Sequence, residues 1–398
     1  MENIFDYIIW RGDLTFKESP FQEVDGFILS CLSYCVLQEV LTPYDTTPVK
    51  ISEVANRMKA RSNDQQVTRD KKDRYLLHLM GESKRFGDMG LCCYVDHLHH
   101  KKETQFAAVT IVMEENELYV SYRGTDQSLI GWKEDFNMTH ARIVPSQLAA
   151  SCYLVYICEK LTGNIRMGGH SKGGNLAVFS AVVAPDSIVD RIQTISTYDG
   201  PGFHDGMLSF PGYQKILPRT KAFVPQSSVI GMMLSRQEKY FVVASHEKGL
   251  FQHDPYTWLV SGTSFVYLDS VTEGSKFFDR TLKEWSLALP KDKREVFFNT
   301  FYEILSKTHG DDNGNLVLSI RNMYVALRKF PYEDEETKAV ILEGFGLFYK
   351  AFRTTLKGYD LDIQKFRKTQ YSHRTYRGDQ NDKYRRRKNK RKNKKKYK

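Results

Sequence analysis

The chain has 398 residues, 41% of them hydrophobic and 27% charged, which is the composition of a globular protein with a buried core. Its formal net charge of +10 is typical of nucleic-acid-binding proteins, but 17 Lys or Arg and only two acids fall in residues 365–398. That segment has a net charge of +15 and leaves residues 1–364 at about −5, which excludes a bulk attraction of the chain's body for polyanions.

The cysteines and the N-terminus predict a cytoplasmic protein. Six cysteines occur without CxxC spacing, at Cys31, Cys35, Cys92, Cys93, Cys152 and Cys158. We expect them to be reduced thiols of the core. Residues 1–6 lack the basic start of a secretory signal, and the apolar stretch 27–37 is shorter than the about 18 residues that cross a bilayer.

The first part of the chain predicts helices and then strands. Apolar spacing favours a helix over residues 19–40, and a charged connector at 61–74 leads into a helical stretch around residues 75–80. Residues 106–113 and 118–123 are rich in β-formers and are separated by four polar residues, which is the pattern of a β-hairpin.

From Pro145 onward, helices and strands alternate. A helix is predicted over residues 145–161 and another over 175–184. Short strands are predicted at residues 165–168, 192–198, 221–224 and 240–244. This alternation predicts an α/β fold with a mainly parallel sheet that is covered by helices.

The C-terminal part divides into two further segments. Apolar spacing over residues 272–357 predicts a helical extension, whereas twelve of the sixteen residues 383–398 are Lys or Arg and predict a disordered tail. We therefore expect an α/β domain with an N-terminal helical segment over residues 1–270, a helical extension over 271–360 and a basic tail over 361–398.

The turn Gly169-His170-Ser171-Lys172-Gly173 matches the nucleophile-elbow pattern GxSxG and lies between a predicted strand and a predicted helix. Such a turn is sterically strained, so small residues are needed on either side of the serine. The run GGHSKGGNLAV provides them. We therefore favour Ser171 as a nucleophile over the alternative of a plain glycine-rich turn.

A serine nucleophile needs donors for the oxyanion that forms during acyl transfer. The N–H of Lys172 lies at a helix N-terminus, where the helix dipole is positive. A second donor is expected from the loop after an earlier strand, and residues 122–125 follow such a strand.

Several segments together resemble known lipase-like proteins. YRGTD, Trp132, Asp135 and GHSKGGNLA are similar to the oxyanion segment and elbow of class 3 lipases. The Mbeg1-like family is a closer match over residues 20–270, because it also has segments similar to YDGPGF, VPQSSVIGMML and QHDPxxW. This resemblance implies an α/β-hydrolase fold and a hydrolytic site with Thr125 in the oxyanion position, and it names no substrate.

The base is expected after the last predicted strand, since the usual chain order in this fold is serine, acid, histidine. His246 and His253 both lie there. We favour His253 because it belongs to the family-like QHDP segment. A surface or capping histidine is the alternative for each.

The acid departs from the class 3 lipase pattern. Those lipases place an Asp near a V-P segment after the following strand, whereas residues 224–228 here contain no carboxylate. Asp199, at the end of the preceding strand, can take this role, although it can also merely cap a turn. Asp205 and Asp254 are weaker candidates. Without an acid, the site would be a Ser-His dyad or inactive.

We find no sequence signal for a cofactor or a metal site. There is no P-loop and no dinucleotide fingerprint. His97, His99 and His100 lie beside lysines, and we interpret them as part of a solvated loop rather than as metal ligands.

The sequence therefore predicts a serine hydrolase of the esterase or lipase type. Ser171, His253 and Asp199 would cleave an acyl ester or lipid, and the N–H groups of Lys172 and Thr125 would bind the oxyanion. The alternative is an inactive scaffold whose basic tail, residues 366–398, binds RNA or an anionic membrane. Such a tail would place a cytoplasmic protein peripherally at the membrane.

Overall fold

A computed structural model describes residues 2–60, 71–99, 104–114, 116–125, 143–290 and 334–355, with isolated positions at 138, 293, 296, 297, 300 and 332. The predicted basic tail, Trp132, Asp135 and His100 lie outside the described residues. Within the described part of the chain, the strands are β1 Val49–Lys50, β2 Gly90–His99, β3 Thr104–Val112, β4 Glu117–Tyr122, β5 Asn164–His170, β6 Ile192–Tyr198, β7 Thr220–Pro225, β8 Tyr240–Val243, β9 Val260–Ser261, β10 Ser264–Phe265 and β11 Tyr267–Leu268. Nine of them form one sheet in the order β1-β2-β3-β4-β5-β6-β7-β8-β11. Strands β9 and β10 form a separate pair.

The sheet is parallel where the chain alternates strand and helix, and antiparallel at both edges. Strands β4 to β8 pair in parallel, whereas β1 to β4 and the β8–β11 pair are antiparallel.

Helices cover both faces of this sheet. The α-helices of the described residues include Ile4–Arg11, Glu23–Leu32, Ile51–Ala60, Lys71–Glu82, Pro145–Lys160, Lys172–Val182, Asp186–Val189, Asp205–Leu208, Pro211–Ile216 and Glu273–Ala288. Residues 335–355 are also helical. The first four helices pack on one face, and the helices between residues 145 and 216 pack on the other.

Strand β4 shows how the sequence builds these two layers. Leu118, Val120 and Tyr122 point into the core beneath the helix Lys172–Val182, whereas Tyr119 points into the core formed by the N-terminal helices. This alternation has the two-residue period of a strand buried on both faces.

The helix predicted over residues 19–40 is shorter in the structure, where it covers Glu23–Leu32. After this helix the hydroxyl of Ser33 donates to the carbonyl of Ser30, at 2.8 Å, and the chain continues as turns. The helix lies close against the sheet, where the hydroxyl of Tyr119 donates to the carbonyl of Gly26 at 2.8 Å.

The hairpin prediction is confirmed by the antiparallel pair β3–β4, and the helix prediction at 145–161 by Pro145–Lys160. The loop interpretation of His97 and His99 is wrong, because both residues lie on β2 and pair with residues of β3. Their side chains are exposed at the polar end of that strand.

All six cysteines are free thiols. Four of them are buried, but Cys152 is exposed, so the expectation of a core position is wrong for that residue. Cys152 lies on the outer face of the helix Pro145–Lys160. Among the described helices, none is both long and apolar enough to cross a membrane.

The C-terminal helices have a hydrophobic cluster of their own. Leu289 and Phe297 pack with Val340, Ile341 and Phe345. Trp285 joins the two helices, since its indole N–H donates to the carbonyl of Gly344 at 2.9 Å. The domain boundaries predicted at residues 270 and 360 stay predictions.

Candidate active site

The register of the parallel strands places several strand ends at one edge of the sheet. Tyr122 at the end of β4 pairs with Gly169, and His170 at the end of β5 pairs with Tyr198 at the end of β6. The segments that follow these strands therefore begin side by side. They contain Thr125, Ser171 and Asp199.

Ser171 lies in the sharp turn between β5 and the helix Lys172–Val182. Its backbone is left-handed, with φ 58° and ψ −134°, which is uncommon for a residue with a side chain and is maintained by the surrounding packing. The N–H of Ser171 donates to the carbonyl of Tyr198 at 2.8 Å. Ser171 is 8% exposed, so its hydroxyl is at the edge of the core.

The steric need for glycine around this turn is confirmed. A Cβ at Gly169 would collide with the backbone of Gly173, and a Cβ at Gly173 would collide with the carbonyl of Tyr122. Gly174 is equally confined, by the side chain of Thr197. Replacing any of these glycines would force the helix away from the sheet.

His253 reaches Ser171 from the 3-10 helix Gly249–His253, after the strand β8. Its Nε2 lies 3.0 Å from Ser171 Oγ, and its Nδ1 lies 2.6 Å from Asp199 Oδ2. A carboxylate only accepts hydrogen bonds, so Nδ1 bears the ring proton and Nε2 is the acceptor for the serine hydroxyl. The imidazole is thus oriented as a base toward Ser171.

Asp199 follows β6 and is 1% exposed. Its φ is 50°, a left-handed conformation that Asp tolerates better than most residues. Besides His253, the carboxylate accepts hydrogen bonds on Oδ1 from Ser228 Oγ at 2.5 Å and from the N–H of Gly231 at 3.0 Å. These donors compensate the buried charge for the water it has lost.

The segment after β7, which contains no acid, thus supplies donors to the acid instead. Ser228 and Gly231 were not identified from the sequence, because their role depends on the path of the chain after Pro225. The helix Glu273–Ala288 holds this segment in place, since the hydroxyl of Ser275 donates to the carbonyl of Ser228 at 2.5 Å.

Asn175, in the elbow motif, links the helix to the turn that follows Asp199. Its amide donates to the carbonyls of Pro201 and Gly202, at 3.2 and 2.8 Å. Its Oδ1 accepts from Gln147 Nε2 at 2.8 Å. Asn175 is 1% exposed. This residue of the motif therefore holds the helix against the segment that follows Asp199.

Of the two predicted oxyanion donors, Lys172 directly follows Ser171 in the chain, and Thr125 directly follows Gly124, which lies close to Ser171. Lys172 is the first residue of its helix, so its N–H points out of the N-terminal end. Thr125 follows Gly124, where a Cβ would come within 3.0 Å of Ser171 Cβ. The side chain of Lys172 points away and donates to Gln105 Oε1 at 2.9 Å and to the Gln105 carbonyl at 3.1 Å.

A buried ion pair fixes the segment that contains Thr125. Arg123 donates to both oxygens of Asp96, at 2.7 and 2.5 Å, and the hydroxyl of Tyr94 donates to the same carboxylate at 3.0 Å. Paired, two-point contact of this kind restricts the guanidinium to one orientation. Sequence reasoning missed Asp96, which lies on β2.

The other candidates lie elsewhere. His246 is exposed, and Asp205 is exposed at the start of a short helix. Asp254 forms an ion pair with Lys72 at 2.6 Å and caps the next turn through the N–H of Tyr256. In the part of the chain that the structure describes, no group of three His, Cys, Asp or Glu side chains is arranged to hold a metal ion.

The helix-covered sheet, parallel at its centre and with Ser171 in the turn after β5, is an α/β-hydrolase fold, as the sequence predicts. The model of the Mbeg1-like family matches residues 80–303, more than half of the chain. The chain belongs to the Mbeg1-like family.

Two solved structures show a partial similarity to this chain. The crystal structure of M37 lipase is 13% identical with a TM-score of 0.33, over 54% of this chain and 70% of that chain. A fungal lipase–inhibitor complex is 12% identical with a TM-score of 0.35, over 63% of this chain and 86% of that chain. Among curated proteins, none matches this chain.

Proposed function

We propose that the protein is a serine hydrolase that cleaves an acyl ester. The observation that supports this most is the continuous hydrogen-bonded relay from Ser171 through His253 to the buried Asp199, at 3.0 and 2.6 Å. A strained turn, a histidine with a defined tautomer and a buried carboxylate together form the arrangement of a nucleophile with its base and its orienting acid.

Acylation would begin with attack of Ser171 Oγ on the ester carbonyl carbon. His253 Nε2 accepts the hydroxyl proton, and the carbonyl oxygen becomes an oxyanion that the N–H groups of Lys172 and Thr125 bind. When the tetrahedral intermediate collapses, the bond to the leaving alkoxide breaks and His253 donates its proton to that oxygen. The acyl group then remains on Ser171.

Deacylation repeats the same steps with water. His253 accepts a proton from a water molecule, whose oxygen attacks the acyl carbonyl, and then returns that proton to Ser171 Oγ as the carboxylic acid leaves. Asp199 stays ionised and stabilises the imidazolium that forms twice in each cycle. No cofactor enters either half of this proposal.

A fluorophosphonate probe tests this proposal directly, because it phosphonylates a serine that an adjacent base activates. We expect one adduct on Ser171 in the wild-type protein, located by mass spectrometry of its peptides, and none in Ser171→Ala. Hydrolysis of p-nitrophenyl esters of increasing chain length should disappear in the same variant. A folded wild-type protein that neither labels nor hydrolyses esters would favour the scaffold interpretation.

We further propose that residues 366–398 bind an anionic partner, either RNA or an anionic membrane surface. The basis is the sequence alone, with twelve cations among residues 383–398. Such binding releases counterions and weakens steeply with salt. We expect the full chain to bind RNA or phosphatidylserine vesicles at low salt, and the chain lacking residues 366–398 to lose this binding. Equal binding by the two proteins would reject the tail's role.

A further inference from the structure

The ring of His253 has a contact beyond the two hydrogen bonds of the relay. The imidazole of His170 lies against it, with ring centroids 4.7 Å apart and planes tilted by 36°. Hydrogen bonds at Nδ1 and Nε2 fix a ring within its plane but allow it to rock about the line that joins them. A packed neighbour restricts that rocking. His170 is 1% exposed and is therefore itself held by the core.

Tyr34 holds His170 in place. Its Oη lies 2.8 Å from His170 Nδ1, and both side chains are 1% exposed. The same hydroxyl lies so close to Gly124 that a Cβ there would collide with it. Tyr34 follows the N-terminal helix Glu23–Leu32, so this contact joins residues 136 positions apart in the sequence.

A second contact fixes the chain just after His253. The hydroxyl of Tyr256 donates to Asp73 Oδ1 at 2.6 Å, in the interior of the protein. Burial raises the pKa of Tyr256 well above its ordinary value, so the phenol keeps the proton that it donates. Its ring stacks on Phe5, with centroids 5.0 Å apart and planes at 11°. Asp73 lies in the helix Lys71–Glu82.

From these two contacts we propose that Tyr34 and Asp73 are positioning residues for the base His253, which they reach through His170 and Tyr256. The N-terminal helical segment is then a working part of the active site rather than only a cover of the sheet. Tyr34 and Asp73 both lie outside residues 80–303, the part that the family model matches. The inference rests on the proposed function, because it concerns the same base.

Three Tyr→Phe variants test this inference, since each removes one buried oxygen and changes nothing else in shape. Tyr34→Phe and Tyr256→Phe break the two contacts. Tyr153→Phe is the matched control, because Tyr153 is 3% exposed and its hydroxyl binds Thr110 Oγ1 and the carbonyl of Cys93, both at 2.9 Å. Circular dichroism and thermal unfolding establish which variants are folded.

We expect kcat and the fluorophosphonate labelling rate to fall about tenfold to 100-fold in Tyr34→Phe and Tyr256→Phe, with KM changed less than about twofold. A base displaced by a fraction of an ångström slows proton transfer without affecting where the acyl chain binds. Tyr153→Phe should keep the wild-type kcat. Loss of kcat in all three variants alike would indicate a general effect of buried hydroxyls and overturn the inference.

A second measurement does not depend on turnover. The Nδ1 proton of His253, in a 2.6 Å hydrogen bond to Asp199, should give a strongly downfield proton NMR signal that disappears in Asp199→Asn. We expect this signal to shift or broaden in Tyr34→Phe and Tyr256→Phe and to stay unchanged in Tyr153→Phe. An inert wild-type protein would reject the hydrolase proposal, and this signal would still decide the positioning of His253.

If Tyr34→Phe folds and keeps the wild-type kcat and downfield signal, Tyr34 does not position His253. The same result for Tyr256→Phe would exclude Asp73. Tyr256→Phe deprives the buried carboxylate of Asp73 of a donor and is the variant more at risk of unfolding. Tyr34→Phe removes no partner from a buried charge. This variant alone can therefore test the inference if Tyr256→Phe does not fold.

Discussion

Replacing Asp199 with Asn should lower kcat about 10⁴-fold and change KM little, because the substitution reverses the tautomer of His253. Ser228 Oγ and the Gly231 N–H both donate to Oδ1, so the amide oxygen of Asn must occupy that side. The amide NH₂ then faces Nδ1 of His253, which becomes an acceptor. The ring proton moves to Nε2, which can no longer accept from Ser171.

Asp205→Asn is the matched control for this prediction, since Asp205 is an exposed carboxylate in the next segment of the chain and was a candidate for the same role. Its kcat should stay within about twofold of the wild type, because surface substitutions away from the site have small effects. Steady-state ester hydrolysis over a range of substrate concentrations separates kcat from KM. If Asp199→Asn retained a tenth or more of the wild-type kcat, the acid would have to be another residue.

The nucleophile turn could be predicted from the sequence because its conformation is decided locally. A Cβ at Gly169 would collide with the backbone of Gly173, only four residues further along the chain, and glycine avoids this collision. The same locality explains why the α/β fold and the hairpin β3–β4 could be predicted, since both follow from apolar periodicity over short windows.

Chain order and the family-like QHDP segment suggested Asp199 as the acid and His253 as the base, but the sequence could not show that the two side chains are in contact. Asp199 and His253 are 54 residues apart, and their contact exists because β6 and the segment after β8 end at the same edge of the sheet. The donors to Asp199 could not be predicted from the sequence, since nothing in the sequence distinguishes Ser228 from any other serine in a turn. Hydrogen bonds that depend on the folded path of the chain can be identified only in the structure.

Strand β2 was missed because its two halves differ in character. Residues 91–95 form a buried apolar run, whereas residues 97–99 are exposed and include two histidines. The polar half obscured the strand and led to the loop interpretation. Asp96 was therefore missed as well, although it lies between the two halves and forms an ion pair with Arg123, beside the predicted oxyanion segment.

The N-terminal segment that contributes Tyr34 and Asp73 is itself fixed by one fully buried ion pair. Asp25 and Arg85 have no exposed side-chain surface, and Arg85 donates to the two carboxylate oxygens at 2.8 and 2.6 Å. Tyr7 and the N–H of Gln22 also donate to Asp25, at 3.0 and 2.7 Å. Four donors therefore converge on one carboxylate, and the helix Glu23–Leu32 begins there.

Asp25→Asn should destabilise the protein by about 3–5 kcal/mol, because it leaves the Arg85 charge buried without its counter-ion and turns an NH₂ group toward donors. Total stabilities are about 5–15 kcal/mol, so the loss would be a large part of the whole. Urea unfolding followed by circular dichroism measures it as a lower midpoint.

Glu53→Gln is the control for Asp25→Asn, since it removes an exposed ion pair with Arg57, at 2.5 Å, and should cost less than about 1 kcal/mol. Equal midpoints for the two variants would mean that water or a rearranged Arg85 replaces the lost charge. A selective loss in Asp25→Asn would instead mean that the segment positioning His253 depends on this buried pair. Partial unfolding of that segment would then reduce hydrolysis before the sheet unfolds, because Tyr34 and Asp73 would separate from the base while Ser171 and Asp199 remain in place.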